Sequence, residues 1–403
     1  MKRTILAAGM LVAVVCVPVS TQNGETRAGN VPVFEADPSW PKMPPKWALG
    51  EVTSIAIDAQ DHAWVLHRPR TVYPHQKGRA APSVLEFDAN GTFVQAWGGP
   101  ADGYEWPDSE HGIYVDHRNF VWITGNVGDD DQILKFTKDG KFVLQIGKRG
   151  QSKGNSDTRN VHRAADVVVD PKTNEVFVAD GYGNRRVIVF DGDTGAYKRM
   201  WGAYGNVATD PPAPPARAGG AAGRAGGPPP EDLQQFRNVH GIAMSNDRLV
   251  YVSDRQNMRF QIFTPEGKFV TEVFVRPERN EQVLGTRGAE SMWGKPVHEH
   301  YQRVVTSRSS VGRTAFSPDP EQRYLYVADR SRQRVIVMNR KTFDVLGTFG
   351  QAGQRPGEFF LLHHIAVDSK GNLYTAECDD DPPFGNRRVQ KLVLNGLPVP
   401  PIK

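Results

Sequence analysis

The chain has 403 residues, 49 basic and 45 acidic, for a formal charge of +4. The charges are interspersed, and no block of one sign forms a tail that would bind nucleic acid, so no nucleic-acid partner is expected. One of the two cysteines, Cys16, lies in an apolar N-terminal stretch; Cys378 is then alone in the mature chain, which excludes an intrachain disulfide.

Residues 1–20 read as a secretory signal. Lys2 and Arg3 precede an apolar run from Ile5 to Val17, and Ser20 is small enough to stand before a cleavage site. The run is too short for a spanning helix and no later run is apolar enough, so the mature chain is expected to have no membrane span and to be secreted or periplasmic. An orphan β-like run follows at residues 31–35. Six segments then share one pattern: apolar-x-apolar-Asp/Ser, a short turn, a second β-rich run and a third. They align on Asp58, Asp116, Asp170, Ser245, Ser317 and Asp368. This spacing predicts inner strands at 53–58, 112–116, 166–170, 241–245, 314–317 and 365–368. Trp64, Trp122, Phe177, Tyr251, Tyr326 and Tyr374 should fill the core from the second strands. Fourth strands follow turns such as Asp139-Gly140 and Glu266-Gly267. Many short strands punctuated by Gly, Asp and Asn, at a period of this size, predict an all-β six-bladed β-propeller over residues 31–394. The sixth repeat ends after its third strand, so the N-terminal run is expected to become the outer strand of the last blade and remove an exposed edge. Two insertions interrupt the period. Residues 206–235 hold a low-complexity stretch of Pro, Ala, Gly and Arg. Residues 277–310 form a longer loop with Trp293, His298, Glu299, His300 and Tyr301. Each joins an outer strand to the next inner strand.

A four-stranded meander reverses at every turn, so the starts of the inner strands and the ends of the second strands open on one rim. Five residues before each aligning Asp or Ser stand Thr53, His111, Ala165, His240, Gly312 and His363. Histidine occupies every second copy. Alternate blades of six lie about 120° apart, so three imidazoles at one depth match a tetrahedral metal with an open fourth position. At the ends of the second strands stand Arg68, Tyr182, Arg255 and Arg330. Singly, each arginine reads as a surface ion pair; facing a metal together, they suit a carboxylate, and the tyrosine suits a base. The acidic runs 129–131 and 378–381 read as solvated loops, and His162 as loop surface. Asn184-Arg185-Arg186 and Asn386-Arg387-Arg388 read as structural contacts within the repeat.

The repeats resemble NHL repeats. The segment from Ala165 to Trp201, with Asp180-Gly181-Tyr182-Gly183-Asn184-Arg185, resembles the lyase half of the peptidylglycine α-amidating enzyme, peptidyl-α-hydroxyglycine α-amidating lyase. That resemblance covers most of residues 50–394 and implies a six-bladed propeller with a zinc held by three histidines. His111 and His240, each in His-Gly-Ile, and His363 in His-His-Ile match the zinc ligands; Arg68, Tyr182 and Arg255 match the catalytic residues. The family carries an Asp after its third zinc histidine that helps hold a structural calcium, with carbonyls at the positions of Ile55 and Ile113. Here that Asp is His364, which puts the calcium in doubt. The family's disulfide cysteines fall at His162 and Gly183, so that staple is absent.

The implied activity is an exported zinc-dependent lyase that cleaves the N–C bond of an α-hydroxyglycine amide, a small peptide-like substrate, to an amide and glyoxylate. Tyr182 would be the base, with Arg68 and Arg255 holding the carboxylate and developing charge. Two other readings stand beside it: a non-catalytic NHL propeller that binds a peptide or glycan, and a metal-dependent hydrolase of another small substrate. The oligomeric state is left open.

Overall fold

In the computed structural model, described for residues 31–210, 233–275, 310–378 and 386–396, period-2 alternation of β-branched and aromatic residues builds six antiparallel four-stranded sheets. The first strand is β1 (Phe34–Ala36). Blade 1 follows as β2 (Val52–Ile57), β3 (Ala63–His67), β4 (Val84–Phe87) and β5 (Phe93–Trp97). Blade 2 is β6 (Glu110–Val115), β7 (Phe120–Gly125), β8 (Ile133–Thr137) and β9 (Phe142–Ile146). Blade 3 is β10 (Asp166–Val169), β11 (Glu175–Asp180), β12 (Arg186–Asp191) and β13 (Tyr197–Trp201). Blade 4 is β14 (Val239–Met244), β15 (Val250–Asp254), β16 (Arg259–Phe263) and β17 (Phe269–Phe274). Blade 5 is β18 (Val311–Phe316), β19 (Tyr324–Asp329), β20 (Arg334–Asn339) and β21 (Val345–Phe349). Blade 6 is β22 (Leu362–Val367), β23 (Leu373–Glu377) and β24 (Val389–Leu394). Its fourth place is taken by β1, which pairs with β24 through Phe34↔Leu394, Glu35↔Val393 and Ala36↔Leu392. The closure strand starts three residues later than the sequence pattern suggests. Inner strands touch in the order β2, β6, β10, β14, β18, β22 and back to β2, so the ring is closed.

The recurrent Asp has a physical reason. Its carboxylate caps the turn into the second strand and also takes the polar handle of the core aromatic on that strand. Asp58 accepts from Gln60 N, His62 N and Trp64 Nε1. Asp116 accepts from Arg118 N, Phe120 N and Trp122 Nε1. Asp368 does the same with Lys370 N, Asn372 N and the Tyr374 hydroxyl. One residue thereby satisfies a turn and an otherwise orphaned buried donor. A second recurring device closes the far end of the blade. Buried Asp180 takes Asn184 and Arg186, Asp254 takes Asn257 and Arg259, and Glu377 takes Asn386 and Arg388. The Asn and Arg runs are internal contacts, as the pattern predicts.

Two readings need correction. Asp130 and Asp131 are buried, not solvated: Asp130 accepts from the amides of Asp108, Ser109 and Val127, and Asp131 from Ser152 N. His162 is only partly exposed and pairs with Asp131 at 2.6 Å. Loop amides needed acceptors that strand periodicity does not reveal. The signal segment 1–20, residues 211–232 and 277–309 of the two insertions and residues 379–381 of the second acidic run lie outside the described residues. No helix among the described residues is long and apolar enough to cross a membrane.

Deleting residues 31–36 should lower the melting temperature by several degrees and favour association, because β24 becomes an unpaired edge and Phe34 leaves Tyr326 and Phe349. Calorimetry and light scattering check this; an unchanged, monodisperse deletion protein would refute it. Acid sensitivity has a named source in blade 1. His67 accepts from Gly50 N and donates to Pro82 O, and burial pushes its pKa down to about 4. The unfolded chain takes up this proton first, so the contribution is complete above the ordinary histidine pKa and fades as pH falls toward 4. From pH 7 to 5 the loss is about 2 kcal/mol. His67→Gln, which keeps both hydrogen bonds without titrating, should flatten the urea midpoint over that range relative to wild type.

Candidate metal centre

The three histidines begin or nearly begin β6, β14 and β22, and all three are buried. What orients them is the register itself. His111 Nδ1 lies 2.7 Å from Ala165 O, His240 Nδ1 2.8 Å from Gly312 O, and His363 Nδ1 2.6 Å from Thr53 O. Each acceptor is the register-equivalent residue of the next blade. A carbonyl only accepts, so each Nδ1 carries its proton and each Nε2 keeps a lone pair. The glycine after the histidine makes room for this contact: a Cβ at Gly112 would sit 2.5 Å from Ala165 O, and one at Gly241 2.8 Å from Gly312 O.

The three rings meet on the axis. Their centroids are 4.6–5.0 Å apart and their planes nearly perpendicular. The ligand atoms lie within 4.8 Å of one another, and His240 Nε2 stands 3.1 Å from His363 Nε2. Burial, then the Arg68 charge, pushes His111 down to about 3. Burial first, then neighbouring cations, hold His240 and His363 well below the ordinary histidine value. The cluster is therefore three neutral imidazoles whose converging lone pairs face one donor, the Tyr182 hydroxyl, 2.9 Å from His111 Nε2. Two facing lone pairs with no proton between them are a donor set that calls for a cation, and its composition fits zinc.

Tyr182 follows β11 and reaches the cluster because of Gly181. A Cβ at Gly181 would run into the backbone of Val239, the residue before His240. The Tyr182 loop is tied down by Gly183 N to His162 O at 3.0 Å, Tyr182 N to Arg163 O at 3.3 Å, and the His162–Asp131 pair. These contacts stand at the two positions where the resemblance puts a disulfide. Arg255 Nη1 donates to Tyr182 Oη at 3.2 Å, with its guanidinium 5.4 Å from the ring centroid. Arg255 is buried, its Nε has no hydrogen-bond partner, and no carboxylate pairs with it among the described residues.

Arg68 has a different setting. It donates from Nε to Glu110 O at 3.0 Å, from Nη1 to Glu51, and from Nη2 to Asn126 Oδ1 at 3.1 Å. Glu51 neutralises it, and Cys378 Sγ lies 3.8 Å from Nη1. Arg330 donates its amide to Ser310 O, and its charge bears on His363. All six residues singled out as metal or catalytic groups thus stand on one rim around the axis. Glu51, Asn126 and the three carbonyls escaped the sequence reading, since backbone acceptors and a lone Glu carry no pattern.

Just beneath the histidines a second layer uses the next residue in three of the copies. Asp166, Arg313 and His364 follow Ala165, Gly312 and His363. Arg313 Nη1 donates to His364 Nε2 at 2.8 Å and Nη2 to Ile242 O at 3.2 Å, while Nε forms an ion pair with Asp166 at 3.0 Å. Burial raises the Asp166 pKa, but the Arg313 charge, with the Ile242 amide, outweighs it and leaves the group below its ordinary value. His364, burial-depressed to about 4, is neutral and accepts from the guanidinium. A cation already stands among these donors, so they do not fit a calcium.

Gly181→Ala should push β11 from β14 and carry Tyr182 off the cluster. The expected result is a loss of stability of roughly 1–3 kcal/mol, the cost of overpacking a tight contact. The His240 and Tyr182 ring resonances should shift together; unchanged resonances and stability would show that the contact does not hold the tyrosine.

The model of the NHL repeat matches residues 236–263, which contain β14, β15 and β16. Peptidyl-glycine alpha-amidating monooxygenase B of Xenopus laevis is 24% identical over 361 residues, covering 86% of this chain and 34% of that protein. The chain therefore spans about a third of that relative's length. The probable peptidyl-alpha-hydroxyglycine alpha-amidating lyase pgal-1 of Caenorhabditis elegans is 24% identical over 294 residues, covering 66% of this chain and 75% of that protein. NHL repeat-containing protein 3 of Mus musculus is 26% identical over 371 residues, covering 90% and 84%. The chain is a six-bladed β-propeller with an NHL repeat, similar in sequence to the peptidyl-α-hydroxyglycine α-amidating lyases.

Proposed function

We propose that this propeller is an exported zinc-dependent lyase that splits α-hydroxyglycine amides into an amide and glyoxylate. The observation that carries the reading is the convergence of three neutral imidazole lone pairs beside Tyr182 Oη and a buried Arg255 that no carboxylate among the described residues pairs with. His111, His240 and His363 would hold the metal, which supplies Lewis acidity beside the scissile carbon. The reaction removes the proton of the substrate hydroxyl, breaks the bond from that carbon to the amide nitrogen, forms the carbonyl of glyoxylate and returns a proton to the nitrogen.

Tyr182 is the group placed to move that proton. Its hydroxyl already meets His111 Nε2 and the Arg255 guanidinium. Arg255 is suited to the substrate carboxylate, because no anion of the described chain answers its charge. Arg68 is held by Glu51, Glu110 O and Asn126, so it offers its remaining N–H groups from a fixed position and adds little net charge. A preoriented donor of this kind stabilises charge that develops during reaction without reorganising.

Protein purified without chelator should contain one zinc per chain, and His240→Ala should lose it by elemental analysis. In a glyoxylate-release assay, Tyr182→Phe should lower kcat by about 10²-fold with zinc retained, the usual worth of a positioned base. Arg255→Ala should raise KM as well as lower kcat, and a substrate amidated at the carboxylate should be poor for wild type yet less sensitive to this change. Zinc-replete wild type that releases no glyoxylate from several such peptides would sink the lyase reading and favour a binding propeller.

A further inference from the structure

Asp166, Arg313 and His364 come from blades 3, 5 and 6, and Ile242, whose carbonyl Arg313 also reaches, from blade 4. All three side chains are buried, with relative exposures of 1%, 7% and 4%. Among the described residues Arg313 is the only permanently charged partner of Asp166. A carboxylate, an imidazole acceptor and a backbone carbonyl closing on one axial point form a cation-binding set, and a side chain of the same chain fills it. On the opposite mouth of the channel a cavity of about 340 Å³ reaches as far as Arg313. The guanidinium therefore also separates that mouth from the histidine cluster.

The register ties this layer to the one above it. Ala165 O and Gly312 O orient His111 and His240, and the next residues are Asp166 and Arg313; His363 is followed by His364. A shift of Arg313 or Asp166 moves the carbonyl that aims a histidine. We propose that the Arg313 guanidinium is the propeller's own axial cation, that it holds blades 3 to 6 together at the level where the resemblance implies a calcium, and that this level takes up no divalent ion. Planar geometry suits the task, since the fork donates to the imidazole and the carbonyl at once while its Nε edge lies against the carboxylate, which a point charge does not do.

The test compares wild type, Arg313→Ala and Arg313→Lys by melting temperature, with and without calcium chloride, and with guanidinium chloride far below its denaturing range. Wild type should gain nothing from calcium and carry none by elemental analysis. Arg313→Ala should melt many degrees lower, since Asp166 is left as an uncompensated buried charge. Low guanidinium should restore part of that loss in Arg313→Ala while leaving wild type unchanged. Arg313→Lys should fall between the two and gain nothing from guanidinium. A wild type that binds one calcium per chain with a rise in melting temperature overturns the proposal, as does an Arg313→Ala protein that melts like wild type or is not restored by guanidinium. Should Arg313→Ala fail to fold, wild-type calcium uptake and Arg313→Lys decide alone. These arms do not depend on the lyase reading. A further arm does: zinc affinity measured against a competing chelator should weaken in Arg313→Ala and recover with guanidinium.

Discussion

Three hydrogen bonds from imidazole Nδ1 to the backbone carbonyl of the neighbouring blade govern both the ring and its centre. Each joins a histidine in an even blade to the equivalent residue of the next odd blade, so the same contact closes a blade interface and fixes a tautomer. With Nδ1 committed, Nε2 can only accept, and three acceptors are left pointing at one another on the axis. Glycine after His111 and after His240 leaves room for the neighbouring blade, because a Cβ there would strike the carbonyl that the ring needs; His363 makes the same contact with a side chain behind it. In blade 6 that glycine is His364, which turns to the layer below and becomes part of a different network.

Charge is arranged along the axis in a definite order. At the rim stand two guanidinium groups with opposite surroundings, Arg68 neutralised by Glu51 and Arg255 without an anionic partner among the described residues. Below them lie three uncharged imidazoles, and below those the Asp166–Arg313 pair with neutral His364. Burial decides the protonation of the histidines, since a charged imidazole so close to Arg68 and Arg255 would lose hydration and meet repulsion. The ionic layer is tolerated because the guanidinium donates to the imidazole and the carbonyl while its charge pairs with the carboxylate. A cation with no anionic partner among the described residues, at the mouth of a neutral donor cluster, is the pattern that favours an anionic ligand there.

The placement of Tyr182 shows how backbone contacts can do what a covalent link does elsewhere. Gly181 lets β11 lie against Val239, His162 O accepts from Gly183 N, and Asp131 holds the His162 ring. The loop is fixed on both sides, so the phenol reaches His111 and Arg255 although it sits outside any strand. Buried Asp131 is part of the reason, which is why an acidic run that resembles a solvated loop is folded inward.

The propeller was legible in the chain because each repeat carries its own local instructions. A period-2 strand, a turn-capping Asp and a core aromatic recur at one spacing, as in Asp58 with Trp64 and Asp116 with Trp122, and such short-range chemistry survives in linear order. The histidine register was legible for the same reason, and so was the return of the N-terminal strand, since the last repeat lacked its fourth. Tertiary structure alone decided which atoms of those residues meet. The carbonyls of Thr53, Ala165 and Gly312 have no side-chain signature. Glu51 reaches Arg68 from a neighbouring loop, and Arg313 meets Asp166 and His364 across residues 147 and 51 positions away in sequence, counted from 313 − 166 and 364 − 313. Contacts of that kind are set by the closure of the ring, which brings equivalent positions of different blades to one axis whatever lies between them in the chain.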